Sequence, residues 1–448
     1  MDRKEIRKIW MKYAEEDREL LTSRVERDIE THRKGYCKVR VLQKDGTPLR
    51  NRSVKVTQKT HDFQYGANIF MLDEFPDEEL NLRYREEFKR HFNLATVPFY
   101  WKDLEPEDGN PRFAKDSKKI YRRPAPELCV EYCEESGIGA KLHCLIYDAF
   151  LPAWLPKNDM KAMERRYEER IRQIAERYSG RLTEVEVINE MLLERRWSGQ
   201  GVIYQKRDLI PWAFELARKY FPHMPLVINE ANVLVSLSEE DYRHPYFMLL
   251  ENALMSGATI DKIGIQHHCF TGSKAVTPEM YEAEVMAGSQ MFRPSVLLRG
   301  LDYLAEFGLP LELTEITVPT FGETEEDEKL QADLLDLLYS VAFSHPAMET
   351  IVYWNLPDSY AYAHPSGRSD ENRCRGGLFR KDMTPKQSAL RLREMFQSRW
   401  HTDLALTTDK DGYVEFRGFY GDYVLSAHGE EGSFGIHKHE NNATVIQL

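Results

Sequence analysis

At 448 residues the chain is too long for one small core, and it has room for a barrel of about 250 to 400 residues plus an accessory module. A net charge of -12 offers nothing to neutralise a phosphate backbone, which excludes nucleic acid as an expected partner. The charged start, Asp2 to Lys8, has no apolar stretch behind it, so neither a signal peptide nor a membrane span is read. The expected location is therefore cytoplasmic, or secreted if a leader has been trimmed away. Cys37, Cys129, Cys133, Cys144, Cys269 and Cys374 show no Cys-x-x-Cys spacing and are expected as buried free thiols.

In chain order, residues 4–29 place Ile, Leu and Val at helical spacing, which predicts an amphipathic helix within a leading segment 1–34. Segment 35–60 then changes period: 37–41 and 53–58 alternate apolar with polar residues around the turn Lys44-Asp45-Gly46-Thr47-Pro48, the pattern of a β-hairpin. Eight short apolar runs follow, at 63–69, 94–98, 140–146, 185–188, 226–228, 263–265, 311–313 and 351–353, with helical stretches between most of them. The clearest of those stretches is 160–178, with Ile171, Ile174 and Tyr178 on one face. No glycine-rich phosphate turn follows the first run, so the cadence predicts an α/β fold, a (β/α)8 TIM barrel over 61–400, and not an open sheet. Beyond Trp400 the helices stop, and 412–416, 420–426, 433–437 and 443–448 read as strands of a C-terminal β-module, 401–448. Neither end of the chain could bury a core alone, so the two are expected to join as one small β-sandwich.

Two of the strand runs end in an isolated carboxylate: Val185-Glu186-Val187-Ile188-Asn189-Glu190 and Leu311-Glu312-Leu313-Thr314-Glu315. A buried strand has no packing reason to finish on Glu, and in a barrel the fourth and seventh strands bring such residues to one mouth. Glu190 and Glu315 are thus the candidate acid/base and nucleophile of a retaining glycosidase, one protonated while the other is ionised.

The run Arg177-Tyr178-Ser179-Gly180-Arg181 through Asn189-Glu190, then Ile263-Gly264-Ile265-Gln266-His267-His268, Leu313-Thr314-Glu315-Ile316, and Trp354 with Asp358 resembles the ordered signatures of glycoside hydrolase family 10 xylanases. His143, Leu151-Pro152-Ala153-Trp154, and Leu378-Phe379 with Pro385-Lys386 extend the likeness from about residue 63 to 395, and Phe63-Gln64-Tyr65-Gly66 resembles the plant-type members. The resemblance implies β-glycoside hydrolysis by double displacement, foremost that of an endo-1,4-β-xylanase, on an oligosaccharide or polysaccharide, without metal or cofactor. It further implies that Glu190 is the acid/base and Glu315 the nucleophile, and that Asn189 binds the sugar 2-hydroxyl. His268 would hold Glu315, Gln266 orient Glu190, His143 touch the same sugar and Trp354 floor the pocket.

The departures from the family pattern matter as much. Thr96-Val97-Pro98-Phe99-Tyr100 replaces the Glu-Asn-x-x-Lys that grips the next sugar outward. Tyr147-Asp148 replaces Trp-His, Phe150 a Gln, Tyr362 a Trp, and Thr317 the Asp behind the active-site histidine. Tyr100, Tyr147, Phe150 and Tyr362 are accordingly expected in a rebuilt substrate surface. Alternatives stay open: a β-glycosidase for short oligosaccharides or a decorated glycoconjugate, and a non-catalytic carbohydrate-binding barrel. The repeat Asn229-Glu230 reads as structural, and Trp101, Trp154, Trp197 and Trp212 read as core. His267-His268-Cys269 is not read as a metal site because adjacent strand residues face opposite ways, and His437-x-His439 is not because it sits in the β-module. The acidic run 323–328 reads as a solvated helix start. Oligomeric state is not legible.

Overall fold

In the computed structural model, which describes residues 1–192, 201–274, 277–367 and 369–448, two strands precede the barrel: β1 (Lys34–Leu42) and β2 (Ser53–Gln58). The barrel strands are β3 (Gln64–Asn68), β4 (Leu94–Pro98), β5 (Gly139–His143), β6 (Glu184–Asn189), β7 (Leu226–Glu230), β8 (Lys262–His268), β9 (Leu311–Thr317) and β10 (Met348–Tyr353). All eight run parallel and close in the order β10-β3-β4-β5-β6-β7-β8-β9, at each of the eight places where the sequence carries an apolar run. Their near-continuous apolar character follows from burial on both faces, with helices outside and side-chain layers within. One of the outer helices, Met160–Tyr178, begins where Asp159 accepts the amide of Ala162, and buries Met163, Tyr167, Arg170, Ile171, Ile174, Ala175 and Tyr178. Among the described residues no helix is long and apolar enough to cross a membrane.

The charged layer inside the barrel is one feature that apolar periodicity does not reveal. Lys141, Glu184 and Glu312 have 0%, 1% and 0% of their side chains exposed, and Lys262 joins them. Lys141 lies 3.1 Å from Glu184 and also pairs with Glu312, while Lys262 reaches both carboxylates at 2.9 Å. Each charge keeps two opposite partners, the condition under which buried ions are tolerated.

The ends of the chain form a sandwich of two sheets, completed by β11 (Asp403–Thr407), β12 (Tyr413–Phe419), β13 (Gly421–Ala427), β14 (Glu430–Ile436) and β15 (Ala443–Gln447). Their orders are β12-β1-β15 and β11-β2-β13-β14. The expected hairpin is corrected here: β1 pairs with β12 and β15, and β2 pairs with β11 and β13. The turn itself exists, with Gln43 N donating to Thr47 O at 2.8 Å, but the chain then crosses to the other sheet. Alternation cannot tell these arrangements apart, because Cys37, Val39 and Val41 face Val54 and Val56 across the sandwich core as readily as they would lie beside them. Strand β11 was not expected, since this edge strand alternates only between half-buried and exposed residues.

The leading helix is also broken. Arg3–Glu16 stops at Asp17, whose carboxylate turns to accept the amide of Ser295 at 2.8 Å, and helical structure resumes through Glu26–His32. Trp10 packs between Phe292 and Phe321, so this arm lies on the barrel flank. The acidic run 323–328 does start the helix Glu325–Ser344 through a Thr324/Asp327 capping box, yet Asp327 and Glu328 are buried, Glu328 against Arg380. That overturns the fully solvated reading of the run.

Candidate active site

Glu190 is the first residue beyond β6 and adopts φ 53°, a left-handed conformation uncommon for a residue with a side chain. The turn is fixed by its own amide, which donates to Asn229 O at 3.1 Å. Glu315 lies within β9, and an irregularity in the β8/β9 register sets Gln266 opposite Glu315 and His268 opposite Thr317. Gly264 makes room beneath: a β-carbon there would sit 2.8 Å from Thr314 Cγ2 and 3.0 Å from Asn229 Oδ1. A larger residue would therefore push Asn229 and Thr314 apart, although Thr314 Oγ1 donates to Asn229 Oδ1 at 2.6 Å.

A continuous hydrogen-bond chain joins the two glutamates. Gln266 Nε2 donates to Glu190 Oε1 at 2.9 Å and to Asn189 Oδ1 at 3.2 Å. Asn229 Nδ2 donates to the same Asn189 oxygen at 3.0 Å and to Glu315 Oε1 at 3.2 Å. Two donors on Asn189 Oδ1 orient this amide with its NH2 group available to a ligand. Glu190 Oε2 accepts the Tyr147 hydroxyl at 2.6 Å, and Glu315 Oε2 faces His268 Nε2 at 3.1 Å. His268 Nδ1 in turn meets the Thr317 hydroxyl at 2.9 Å, so a neutral partner stands where the family pattern has an acid.

The electrostatics follow from burial. Burial pushes the Glu315 carboxyl well above the ordinary range; nearby His143 and the Asn229 amide oppose this, while Glu186 and Glu190 add to it. His268 is pushed down to about 4 by burial and is neutral near pH 7. Burial also works against charge on His143, but Glu186 outweighs it and the ring is raised. The site thus holds carboxylates that compete for protons, as two-carboxylate chemistry requires.

Of the residues singled out in the sequence, Asn189, Glu190, Gln266, His268 and Glu315 share this chain, with Tyr147 attached to it. His143 is adjacent but already engaged at both nitrogens: Nδ1 with Glu186 at 2.9 Å and Nε2 with the Tyr100 hydroxyl at 2.9 Å. Trp354 sits edge-on to His143 and His268, at centroid distances of 5.5 and 5.9 Å. Tyr100 and Phe150 contact each other at 4.6 Å. Tyr362 lies in the loop after β10 with its ring near His364 and its backbone bonded to Glu371. Trp197 lies outside the described residues.

Sequence reasoning did not single out Asn229 and Glu186 for the site. The available signals were the repeated Asn-Glu at the end of β7 and a Glu interrupting an apolar strand. Glu230 matches its structural reading: fully buried, it accepts the amides of Leu192 and Ala231, both at 2.9 Å, and so ties down the turn after Glu190. Among the described residues, the one group with metal-ligand proximity is His143, Cys144 and Glu186, whose ligand atoms lie within 4.8 Å of one another. Its His143 Nδ1–Glu186 Oε1 contact of 2.9 Å is within the ordinary range of an N–H···O hydrogen bond.

Comparison with known proteins agrees with this architecture. The chain is similar to the anti-sigma-I factor RsgI6 of Acetivibrio thermocellus, 26% identical over 403 residues, covering 88% of this chain and 45% of that protein. It is similar to endo-1,4-beta-xylanase 2 of Arabidopsis thaliana, 23% identical over 390 residues, covering 85% of this chain and 31% of that protein. The chain therefore spans less than half the length of either curated relative. Among solved structures, xylanase 10B from Thermotoga petrophila RKU-1 in complex with xylobiose matches with a TM-score of 0.58 at 21% identity, covering 75% of this chain and 95% of that one. The family model described as Glycosyl hydrolase family 10 matches residues 61–393, most of the chain and the whole of the eight-stranded barrel, and on that match the chain belongs to glycosyl hydrolase family 10.

Proposed function

We propose that the chain, like a xylanase, hydrolyses β-glycosidic bonds between xylose units, by double displacement with retention. What carries the reading is the hydrogen-bond chain Glu190–Gln266–Asn189–Asn229–Glu315, which fixes two carboxylates of different surroundings around one ligand-facing amide. In this reading Glu315 attacks the anomeric carbon while Glu190 gives its proton to the departing oxygen. The resulting glycosyl ester is then cleaved by water, whose proton passes to Glu190. Asn189 Nδ2 binds the 2-hydroxyl, a bond that strengthens as positive charge develops on the sugar. The ionised form of Glu315 that attacks is favoured, against the burial that raises this carboxyl, by His143 and by donors from Asn229 Nδ2 and His268 Nε2, the latter open because the ring is neutral and the Thr317 hydroxyl can serve Nδ1. The similarity to xylanases, one of them solved with xylobiose, supports a β-linked xylo-oligosaccharide as substrate.

The test uses aryl β-xyloside and β-glucoside substrates. Glu315→Gln is expected to lower kcat by several orders of magnitude while circular dichroism stays unchanged. Glu190→Ala is expected to retain ester formation from an activated aryl glycoside and to be rescued by azide, giving a glycosyl azide of retained configuration. Equal turnover by wild type and Glu315→Gln removes the assignment. Sugar affinity by calorimetry with no turnover in a broad panel establishes the carbohydrate-binding alternative instead.

A further inference from the structure

We infer that the glycone side of this site is a closed pocket for one terminal sugar, with Tyr100 as its end wall, so that the chain removes single sugars from chain ends. The inference rests on the hydrolase reading above and adds the mode of attack and the residues that set it.

Four loops build the closure. Phe70 follows β3, Tyr100 follows β4, Phe150 lies beyond β5 and Trp354 follows β10. Since β10, β3, β4 and β5 are consecutive in the barrel, these rings seal one unbroken sector of the rim. Centroid separations of 4.6 Å for Tyr100–Phe150, 5.1 Å for Phe70–Trp354 and 5.9 Å for Phe70–Tyr100 are direct ring contacts with no room for a pyranose between them. The wall is also buttressed from behind. The Arg123 guanidinium lies 4.1 Å from the Tyr100 centroid and 5.3 Å from that of Phe70, and is held by Asp103 Oδ2 at 2.9 Å and by Arg122 O at 2.8 Å. Below, Arg170 binds Phe99 O and Cys144 O, which clamps the ends of β4 and β5 where Tyr100 and His143 emerge.

The closed sector borders the nucleophile's sugar. Tyr100 occupies His143 Nε2, His143 is the foremost charge acting on Glu315, and Trp354 packs against His143 and against His268, the residue that holds Glu315. In a double displacement the sugar attached to Glu315 is the glycone, while the leaving group lies toward Glu190. A chain that continued past the glycone would have to displace Tyr100 from both His143 and Arg123. A free terminal hydroxyl there needs only to meet the Tyr100 phenol, whose oxygen can both donate and accept.

Two matched substrate pairs test this: aryl β-xyloside against aryl β-xylobioside, and aryl β-glucoside against aryl β-cellobioside, together with the first products from unlabelled xylohexaose. Wild type is expected to favour the single-sugar glycoside in kcat/KM by about tenfold or more and to release the monosaccharide first from xylohexaose. Tyr100→Ala is expected to lower that preference by about tenfold, a ratio taken within one variant and so independent of any overall loss of activity. If Tyr100→Ala does not fold, Phe150→Ala removes the facing ring, and the wild-type products decide by themselves. Faster turnover of the two-sugar glycosides by wild type, or disaccharide and longer products at the outset, overturns the closed pocket and leaves the hydrolase reading intact. An unchanged preference in a folded wall variant removes Tyr100 as the determinant. No turnover of any of the four glycosides would sink the hydrolase reading and this inference together.

Discussion

The Thr317 hydroxyl lies 2.9 Å from His268 Nδ1, and the opposite nitrogen of the same ring lies 3.1 Å from Glu315 Oε2. A hydroxyl can donate or accept, so His268 can remain neutral whichever nitrogen carries its proton. This agrees with a ring held down to about 4 by burial. Thr317→Asp would place an anion behind the ring and favour the imidazolium, and a cation beside Glu315 favours the ionised carboxylate. Because the proposed mechanism needs Glu315 ionised, the acidic limb of the kcat/KM profile is expected to move to lower pH, by about one pH unit. A pH–rate series on an aryl β-xyloside checks this, and a limb that stays in place or moves upward would show that Thr317 does not govern Glu315 through His268.

Glu230 makes a prediction about stability. Burial pushes its carboxyl up to about 8, against about 4.3 for a glutamate in an unfolded chain. Between those values the folded protein binds one more proton here than the unfolded chain does. Its contribution to stability is therefore complete at the acid end and is lost as pH rises toward about 8, by at most about 1.4 kcal/mol per pH unit. Glu230→Gln removes the titration and preserves an acceptor for one of the two amides. The Tm of the variant relative to wild type is expected to be several degrees more favourable at pH 8 than at pH 5, read by thermal denaturation at both values. An equal difference at the two pH values would mean that Glu230 does not titrate in that window.

Much of this was legible in the sequence, for identifiable reasons. A barrel strand covered on both faces must be apolar along its length, so each of the eight runs was visible at its place. A carboxylate such as Glu190 or Glu315 at the end of such a run has no packing explanation, which is why the pair stood out. The sandwich strands were legible as strands and not as partners, because the same alternation in 37–41 and 53–58 serves a hairpin and two facing sheets equally. Asn229 was hidden for a different reason. Its importance lies in touching Glu186, Asn189, Thr314 and Glu315 at once, and these come from two strands, β6 and β9, neither of them its own. The surroundings of Tyr100 were only half visible: the loss of a polar grip could be seen, but its hydrogen bond to His143 is a relation between the ends of β4 and β5.

Lys141 tests how the barrel tolerates charge at its centre. Its ammonium is fully buried between Glu184 and Glu312, and Lys262 is their other cation. Lys141→Met keeps the approximate volume and removes one positive charge from a balanced set of two cations and two anions. One carboxylate is left undercompensated in a low-dielectric interior, and breaking a buried pair in this way costs about 3 to 5 kcal/mol. The urea midpoint is expected to fall sharply, with an acid-shifted stability maximum because protonation of a glutamate now relieves the excess charge. Adding Glu312→Gln to Lys141→Met restores the count of one cation to one anion and is expected to recover part of the loss. If the double variant were less stable than Lys141→Met by the full cost of a second independent lesion, the two residues would not be energetically coupled, and the barrel centre would owe its stability to packing alone.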